Sequence, residues 1–137
     1  MSKFESGVKE VPYAQEKVFA VLSDMSNMKR LEGRLPEDKF RDLEFDNDSV
    51  SIHVDPVGRI TLRIVERENP KCIKYETAQS PVPFNLWVQL LPTSEQSSKM
   101  KLTIKADLNP FIKGMISKPL QEGLEKLAET LALIPYE

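Results

Sequence analysis

The chain has 137 residues, the length of one ordinary domain, and 40% of them are hydrophobic, which is enough for a core without metals or disulfides. The formal net charge is -2, from 19 basic and 21 acidic residues, so the basic surface of a nucleic-acid-binding protein is missing. The sequence also lacks a polybasic run for anionic membranes and any apolar run near the ~20 residues of a membrane-spanning helix. We therefore predict a single domain, residues 1–137, with no nucleic-acid partner and no stable membrane insertion.

The cellular compartment is predicted from cysteine usage and the amino-terminal segment. Cys72 is the only cysteine, so no disulfide can form within the chain, which is typical of a reducing compartment. The opening residues MSKFESGVKE contain no apolar stretch after a basic start, so no signal peptide is predicted. We expect a cytoplasmic protein.

The first forty residues predict a strand followed by two short helices. Residues 3–11 alternate loosely between apolar and polar, and Pro12 ends this strand. Residues 13–23 carry apolar side chains at helical spacing. A second short helix, for which Asp24 or Ser26 is a suitable N-cap, carries three apolar residues: Met28, Leu31 and Leu35.

From residue 40 to 108 the period of the apolar residues changes to two, which indicates strands. Turn-forming runs, among them residues 46–49, 55–58 and 68–71, separate six such segments. Short turns between successive strands force antiparallel neighbours. One face of the strands is polar, which predicts a sheet with one solvated and one covered face.

A long helix over residues 110–133 is predicted to cover the sheet. At 1.5 Å per residue it is about 36 Å long, enough to cross the whole sheet. Its apolar stripe consists of Ile112, Met115, Ile116, Leu120, Gly123, Leu124, Leu127, Ala128 and Leu131.

This order of elements resembles the START/Bet v 1-like (SRPBCC) superfamily, in particular its small bacterial polyketide cyclase/dehydrase and lipid-transport-like group. Residues 8–28, VKEVPYAQEKVFAVLSDMSNM, are similar to the opening of that family, and residues 109–132, NPFIKGMISKPLQEGLEKLAETLA, to its terminal helix. The charged segment 30–40, RLEGRLPEDKF, departs from the aromatic and proline residues that often follow the second helix. The resemblance implies an α+β helix-grip fold, in which a curved antiparallel sheet of about seven strands wraps around the C-terminal helix.

The resemblance also implies an apolar cavity between sheet and helix that binds lipids, sterols, polyketides or similar molecules. The inward strand residues and the helix stripe are the side chains predicted to contact such a ligand. The alternative is that they pack against each other as ordinary core, which alternation alone does not distinguish. The predicted ligand-binding residues are Ile52, Ile64, Tyr75, Thr77, Leu86, Val88, Met100, Leu102, Ile116, Leu120 and Leu124.

Few polar side chains are placed where catalysis or metal binding would need them. Alternation places Tyr75 and Thr77 inward, where the favoured interpretation is that each satisfies a backbone group. His53, the sole histidine, is predicted on the polar face, and nothing near Cys72 in the sequence activates a thiol. We predict no catalytic residues, no metal ligands and no cofactor.

Trp87 is predicted on the face opposite the apolar row, unless a register change at Pro83 turns it inward. Large apolar groups on a surface can mark an interface. The loop 79–83 and the tip at Pro110 and Phe111 are possible cavity mouths, although prolines also stiffen plain turns.

Three hypotheses follow. The first is a non-catalytic carrier or sensor of a small hydrophobic molecule, as a monomer or homodimer. The second is a cyclase- or dehydratase-type enzyme, which needs an inward acid–base group, and only Tyr75 is available. The third is a protein-interaction module that uses Trp87 and the outer face of the sheet.

Overall fold

The computed structural model describes residues 2–136. Two short strands, β1 (Ser2–Glu5) and β2 (Lys9–Val11), precede helix α1 (Gln15–Leu22) and a 3-10 helix (Met25–Leu31). Six strands and a helix follow: β3 (Phe40–Phe45), β4 (Ser49–Val54), β5 (Gly58–Glu68), β6 (Cys72–Gln79), β7 (Phe84–Ser94), β8 (Ser97–Ala106) and α2 (Pro110–Leu133).

All strands form one antiparallel sheet in the order β1-β8-β7-β6-β5-β4-β3, and β2 continues the edge that β1 begins along β8. The first and last strands of the chain are therefore neighbours, while β3 forms the opposite edge. The sheet curves around α2, which lies closest to β8, β1 and β2. This is the helix-grip fold that the resemblance implies.

The core lies between the concave face of the sheet and the two longer helices. Alternate residues of β7 and β8 are almost fully buried, as the period of two predicts. Burial of one such aliphatic side chain stabilises the fold by about 1.5–3 kcal/mol. The inward rows of these two strands are Phe84, Leu86, Val88 and Leu90, and Met100, Leu102, Ile104 and Ala106.

Side-chain caps mark the starts of the 3-10 helix and of α2. The side chain of Asp24 accepts a hydrogen bond from the backbone N–H of Ser26 at 3.0 Å, so Asp24 is the cap of the 3-10 helix. Asn109 caps α2 by accepting from the N–H of Ile112 at 2.9 Å, and Pro110 occupies the first helical position.

The prediction of one strand over residues 3–11 is wrong, because the strand is interrupted at Ser6. The hydroxyl of Ser6 accepts from the N–H of Leu102 at 2.9 Å and takes the place of a backbone acceptor in the ladder. The next N–H, that of Gly7, turns away from the sheet and donates to Glu125 of α2 at 2.8 Å. The chain thus contacts the helix at this point before β2 rejoins the sheet.

The contacts of Glu125 predict that part of the free energy of unfolding depends on pH. An ion pair with Lys9 at 2.6 Å and the hydrogen bond from Gly7 hold the pKa of its carboxyl below its ordinary value. A carboxyl with a lowered pKa in the folded state stabilises it above the unfolded pKa, and this contribution disappears as the pH falls through the folded pKa. Glu125→Gln is therefore expected to lower the free energy of unfolding by at most about 1 kcal/mol near neutral pH.

Urea unfolding between about pH 3 and pH 7 measures this difference, which should shrink toward zero at the acid end. Glu129→Gln, an exposed substitution one turn further along α2, is the control. A deficit of Glu125→Gln that stays constant over the whole pH range would contradict the assignment.

The end of the chain packs into the core beyond α2. Ile134 and Tyr136 are 2% and 1% exposed. The hydroxyl of Tyr136 donates to the carbonyl of Leu131, and its ring meets that of Tyr13 edge-on, with centroids 5.8 Å apart. This segment therefore anchors the end of α2 against Tyr13, which precedes α1.

The helix stripe is correct except at Met115, which is 61% exposed instead of inward. Phe111, one turn earlier, is 77% exposed. In the same two turns Ile116 is buried and Ile112 packs against the core, so Phe111 and Met115 lie on the solvent side of this part of α2. Within residues 2–136, no helix has the length and apolar character required to cross a bilayer.

Candidate functional site

A cavity of about 120 Å³ lies between the concave sheet, the 3-10 helix and the second half of α2. Its walls come from the inward faces of β3 to β8 and from one face of α2. The lining residues are Leu22, Met28, Leu31, Leu35, Phe40, Leu43, Val50, Ile52, Val54, Ile60, Leu62, Tyr75, Phe84, Leu86, Val88, Ile104, Leu120, Gly123, Leu124, Leu127 and Leu131.

Gly123 provides much of the space on the helix side. It is buried in α2 and faces β3 and β4. A Cβ atom at this position would lie 3.8 Å from Cγ1 of Val54 and 4.0 Å from Cζ of Phe40. These are ordinary van der Waals distances, so a small side chain fits, whereas a long one would extend into the cavity.

Among the described residues that line the cavity, Tyr75 carries the one hydroxyl group. Its O–H donates to the carbonyl of Leu22 at 2.9 Å, which ties β6 to the end of α1. Burial raises the pKa of this phenol far above its ordinary value. The hydroxyl thus satisfies a backbone group, as the sequence favoured, and a phenolate base is not accessible at neutral pH.

A wider space of about 430 Å³, called the vestibule here, lies beside the cavity between the 3-10 helix, the following loop and β3. Five residues line both spaces and form the wall that the two share: Leu31, Leu35, Phe40, Leu43 and Ile52. The remaining vestibule residues are Glu32, Gly33, Glu37, Arg41 and Asp42. The mouth of this vestibule is therefore made by the charged segment 30–40 and the strand after it.

A β-bulge in β3 shapes this mouth. The ladder between β3 and β4 shifts register between Arg41 and Glu44, so Asp42 and Leu43 together face Ile52. Asp42 adopts φ +56°, a left-handed conformation that Asp tolerates better than most residues. The extra residue turns Leu43 into the cavity wall and leaves Asp42 at the rim.

Arg41 is held at the rim by an ion pair. Its guanidinium contacts Asp55 through two hydrogen bonds, at 3.2 and 3.0 Å, and Asp55 also lies 2.9 Å from Nε2 of His53. These partners, Arg41 before His53, hold the pKa of the Asp55 carboxyl below its ordinary value. His53 thus lies on the outer face, as alternation predicted, and is away from the cavity.

The structure brings part of the predicted ligand-binding set together. Six of the predicted residues line the cavity: Ile52, Tyr75, Leu86, Val88, Leu120 and Leu124. The others lie outside its wall: Ile64, Thr77, Met100, Leu102 and Ile116.

The packing around these residues explains why they lie outside the cavity wall. Met100 and Leu102 are 0% exposed on β8, where the helix packs directly and leaves no space. Ile116 lies one turn before Leu120 in α2 and is buried without contributing to the cavity wall. The hydroxyl of Thr77 accepts from the N–H of Phe84 at 3.2 Å, so it satisfies a backbone group.

The residues that sequence reasoning missed come mainly from the 3-10 helix and the β3–β4 edge, such as Met28, Leu31, Phe40 and Val50. Their apolar spacing was visible, but nothing local indicated that the sheet curls this edge toward α2. None of the loop residues 79–83 lines the cavity.

The other singled-out residues lie on the outer face of the sheet. Trp87 keeps its outward parity and is covered by the ammonium groups of Lys74 and Lys105, 5.4 and 5.5 Å from its ring centroid. Burial, and then the nearby Glu68, raises the pKa of the Cys72 thiol. Within residues 2–136, no three His, Cys, Asp or Glu side chains are grouped so that they could hold a metal ion.

The family follows from a match over nearly the whole chain. The family model described as polyketide cyclase / dehydrase and lipid transport matches residues 4–132. The chain belongs to this family. It is thereby a member of the START/Bet v 1-like superfamily, whose fold is a ligand-binding fold. No curated protein matches the chain.

Solved structures of distant relatives share the fold of this family member. A point mutant of norcoclaurine synthase from Thalictrum flavum, in complex with a transition-state analogue, superposes with a TM-score of 0.72 at 17% identity, covering 96% of this chain and 94% of that one. The protein TTHA0849 from Thermus thermophilus gives 0.69 at 17% identity, with 96% and 94% covered. A START superfamily protein from Mycobacterium smegmatis gives 0.57 at 13% identity, with 94% and 98% covered. At these identities the likeness shows the fold alone.

Proposed function

We propose that the protein binds a small hydrophobic molecule in the cavity between the sheet and α2, and that it acts as a cytoplasmic carrier or sensor. The observation that carries this proposal is the cavity of about 120 Å³ with almost entirely apolar walls. Affinity would come from apolar burial, which is non-directional and suits a hydrophobic guest. The fold of the family supports ligand binding in general.

The size of the cavity limits the guest. An engineered apolar cavity of about 150 Å³ in another protein binds benzene. A space of about 120 Å³ therefore suits one ring or a short alkyl chain. A longer molecule would exceed this volume.

A carrier is favoured over an enzyme by the chemistry of the wall. General acid–base catalysis requires a titratable group within hydrogen-bond reach of the substrate. Among the described lining residues none is a carboxylate or an imidazole, and the hydroxyl of Tyr75 is engaged with Leu22. The cyclase- or dehydratase-type enzyme named by the family stays the alternative.

The interaction module is less well supported. It depends on an apolar outer face around Trp87, whereas that ring lies beneath Lys74 and Lys105. Charged groups over an aromatic ring are typical of a solvated face. We expect a monomer or homodimer with a small-molecule ligand as its main partner.

Methyl NMR during titration with a series of n-alkylbenzenes tests the proposal. We expect shifts at methyls of the wall, such as Ile52, Leu86 and Leu124, and none at exposed Val65 and Leu133. Affinity should rise about fourfold with each added methylene until the guest fills the cavity, since one buried methylene contributes about 0.8 kcal/mol.

Native mass spectrometry of the purified protein, followed by denaturing extraction, identifies a natural ligand directly. Absence of shifts at every wall methyl over the whole alkylbenzene series would overturn the proposal. Covalent turnover of an extracted molecule by the purified protein would instead establish the enzyme.

A further inference from the structure

Two large apolar side chains are exposed side by side at the beginning of α2, in residues 110–118, called the tip of α2 here. Phe111 is 77% exposed and Met115 is 61% exposed. The two are four residues apart in the helix, so they are neighbours on one face. The other large exposed apolar side chains of the described chain lie on four different segments: Val8, Val65, Leu91 and Leu133.

The charged residues of the tip are both basic. Lys113 and Lys118 are exposed, and Lys118 shares the face of Met115 because it follows it by three residues. Neither lysine is part of an ion pair among the described residues. From residue 108 to 121 the sequence contains no Asp or Glu. The exposed apolar pair therefore lies in a stretch of purely positive charge.

The charged residues of the adjoining strands do not reverse this sign. Asp107 precedes the helix and is exposed. Lys3 and Lys105 lie opposite each other where β1 pairs with the end of β8. Glu5 contacts both Lys3 and Lys101, at 3.5 and 2.5 Å. Three cations thus accompany two carboxylates on these strands, and the two lysines of the tip add to that excess.

The carboxylates that come next to the tip are already paired. Glu122 follows Lys118 by four residues and lies 3.1 Å from Lys39. Asp55, in the turn before β5, accepts two hydrogen bonds from Arg41. The loop 79–83 before β7 contains no charged residue. The region around the tip therefore keeps a positive charge when its neighbours are included.

The exposed pair is too small for a stable protein partner and has the chemistry of a lipid-binding surface. An interface between two proteins involves about 20–30 residues on each side, whereas this apolar surface consists of two side chains. A bilayer surface requires no matching shape. It takes up aromatic and aliphatic side chains at the depth of its headgroups, while nearby lysines contact its anionic lipids.

We infer that the tip of α2 docks the protein on an anionic lipid bilayer, with Phe111 and Met115 inserted among the headgroups and the two lysines against their negative charges. This inference goes beyond the proposed function and does not depend on the cavity. The contact is peripheral and reversible, because two apolar side chains and two lysines supply only a weak attraction to a bilayer. It agrees with the prediction of no stable membrane insertion.

Co-sedimentation with lipid vesicles tests the inference on the full chain. One set of vesicles contains phosphatidylcholine alone, and the other contains equal parts of phosphatidylcholine and phosphatidylserine. We expect binding to the second set to be at least about tenfold tighter in low salt. This preference should fall toward one at about 0.5 M salt, because exposed charges are then screened.

A polar substitution of the exposed pair tests the apolar contribution. Phe111→Ser/Met115→Ser should bind the anionic vesicles at least about tenfold more weakly, since two apolar side chains no longer leave water. The matched control is Leu91→Ser/Leu133→Ser, which removes two side chains that are 55% and 78% exposed elsewhere. The control should bind like the parent protein. Thermal unfolding establishes that both variants are folded.

Removal of the two charges tests the lysines. In Lys113→Gln/Lys118→Gln the preference for vesicles with phosphatidylserine should fall at least about tenfold. Lys71→Gln/Lys99→Gln removes two exposed lysines outside the tip and changes the net charge equally, so it should keep the preference.

The opposing outcomes are distinct. Absence of vesicle binding, or equal binding to both sets of vesicles, overturns docking on an anionic bilayer, and the proposed binding of a hydrophobic molecule in the cavity stands. Binding that survives in both tip variants, or that falls equally in the tip variants and their controls, overturns the assignment to the tip. A dimer in sedimentation velocity that Phe111→Ser/Met115→Ser converts to a monomer would assign the pair to a second copy of the chain instead.

Discussion

A Gly123→Leu substitution is expected to lower the affinity for small alkylbenzenes by at least about tenfold, the equivalent of losing about two buried methylenes. Gly123 faces the cavity from α2, and its Cβ position lies 3.8 Å from Val54, within ordinary contact. The rest of a leucine side chain must then occupy the space that a guest would fill. Helix stability should not fall, because leucine is favoured over glycine in a helix interior by up to about 1 kcal/mol.

Gly114→Leu provides the matched control. Gly114 lies on the same helix, and a Cβ there would have no heavy atom within 4 Å, so it adds the same side chain outside the cavity. It should bind alkylbenzenes like the parent protein. Calorimetric titration of both variants, with thermal unfolding to establish that each is folded, measures the difference. Unchanged binding in a folded Gly123→Leu variant would place the ligand elsewhere.

Tyr136→Ala is expected to destabilise the protein by about 3–5 kcal/mol, as for other large buried aromatic residues replaced by alanine. Tyr136 is 1% exposed, packs edge-on against Tyr13 and donates a hydrogen bond to Leu131. Its removal would leave a cavity beside Tyr13 at the end of α2. Urea unfolding followed by circular dichroism gives the free energy of unfolding.

Two further substitutions help to interpret this loss of stability: one removes only the hydrogen bond, and the other is an exposed control. Tyr136→Phe retains the ring and loses only the hydrogen bond, so a cost of about 1 kcal/mol is expected. Leu133→Ala removes an apolar side chain that is 78% exposed and should change stability by no more than about 0.5 kcal/mol. If Tyr136→Ala proved as mild as Leu133→Ala, the terminal segment would not anchor the helix.

The secondary structure and the fold class were predictable from the sequence because their signals are local. Helix α2 begins and ends at the predicted residues, since Asn109 caps it and its stripe has the helical period. The strand rows of β7 and β8 follow directly from alternation. The interrupted first strand was missed, because the interruption depends on Glu125, more than a hundred residues away.

The candidate site was only partly predictable. Alternation identified inward residues such as Leu86 and Val88, and the helical period identified Leu120 and Leu124, all of which line the cavity. The same rules also predicted Met100 as a ligand-binding residue, yet Met100 is fully buried in the core and does not line the cavity. Both kinds of residue face the same side of the sheet, so periodicity does not separate them.

The sequence by itself determined the α+β class, the antiparallel strands, the covering helix and the apolar character of the interior, since each depends on the order and period of neighbouring residues. Only the tertiary structure decided where the sheet and α2 touch and where they diverge. That distance depends on sheet curvature, on the bulge at Asp42 and on the missing side chain of Gly123, which act together across the fold. The cavity exists because these distant features meet at one edge of the sheet.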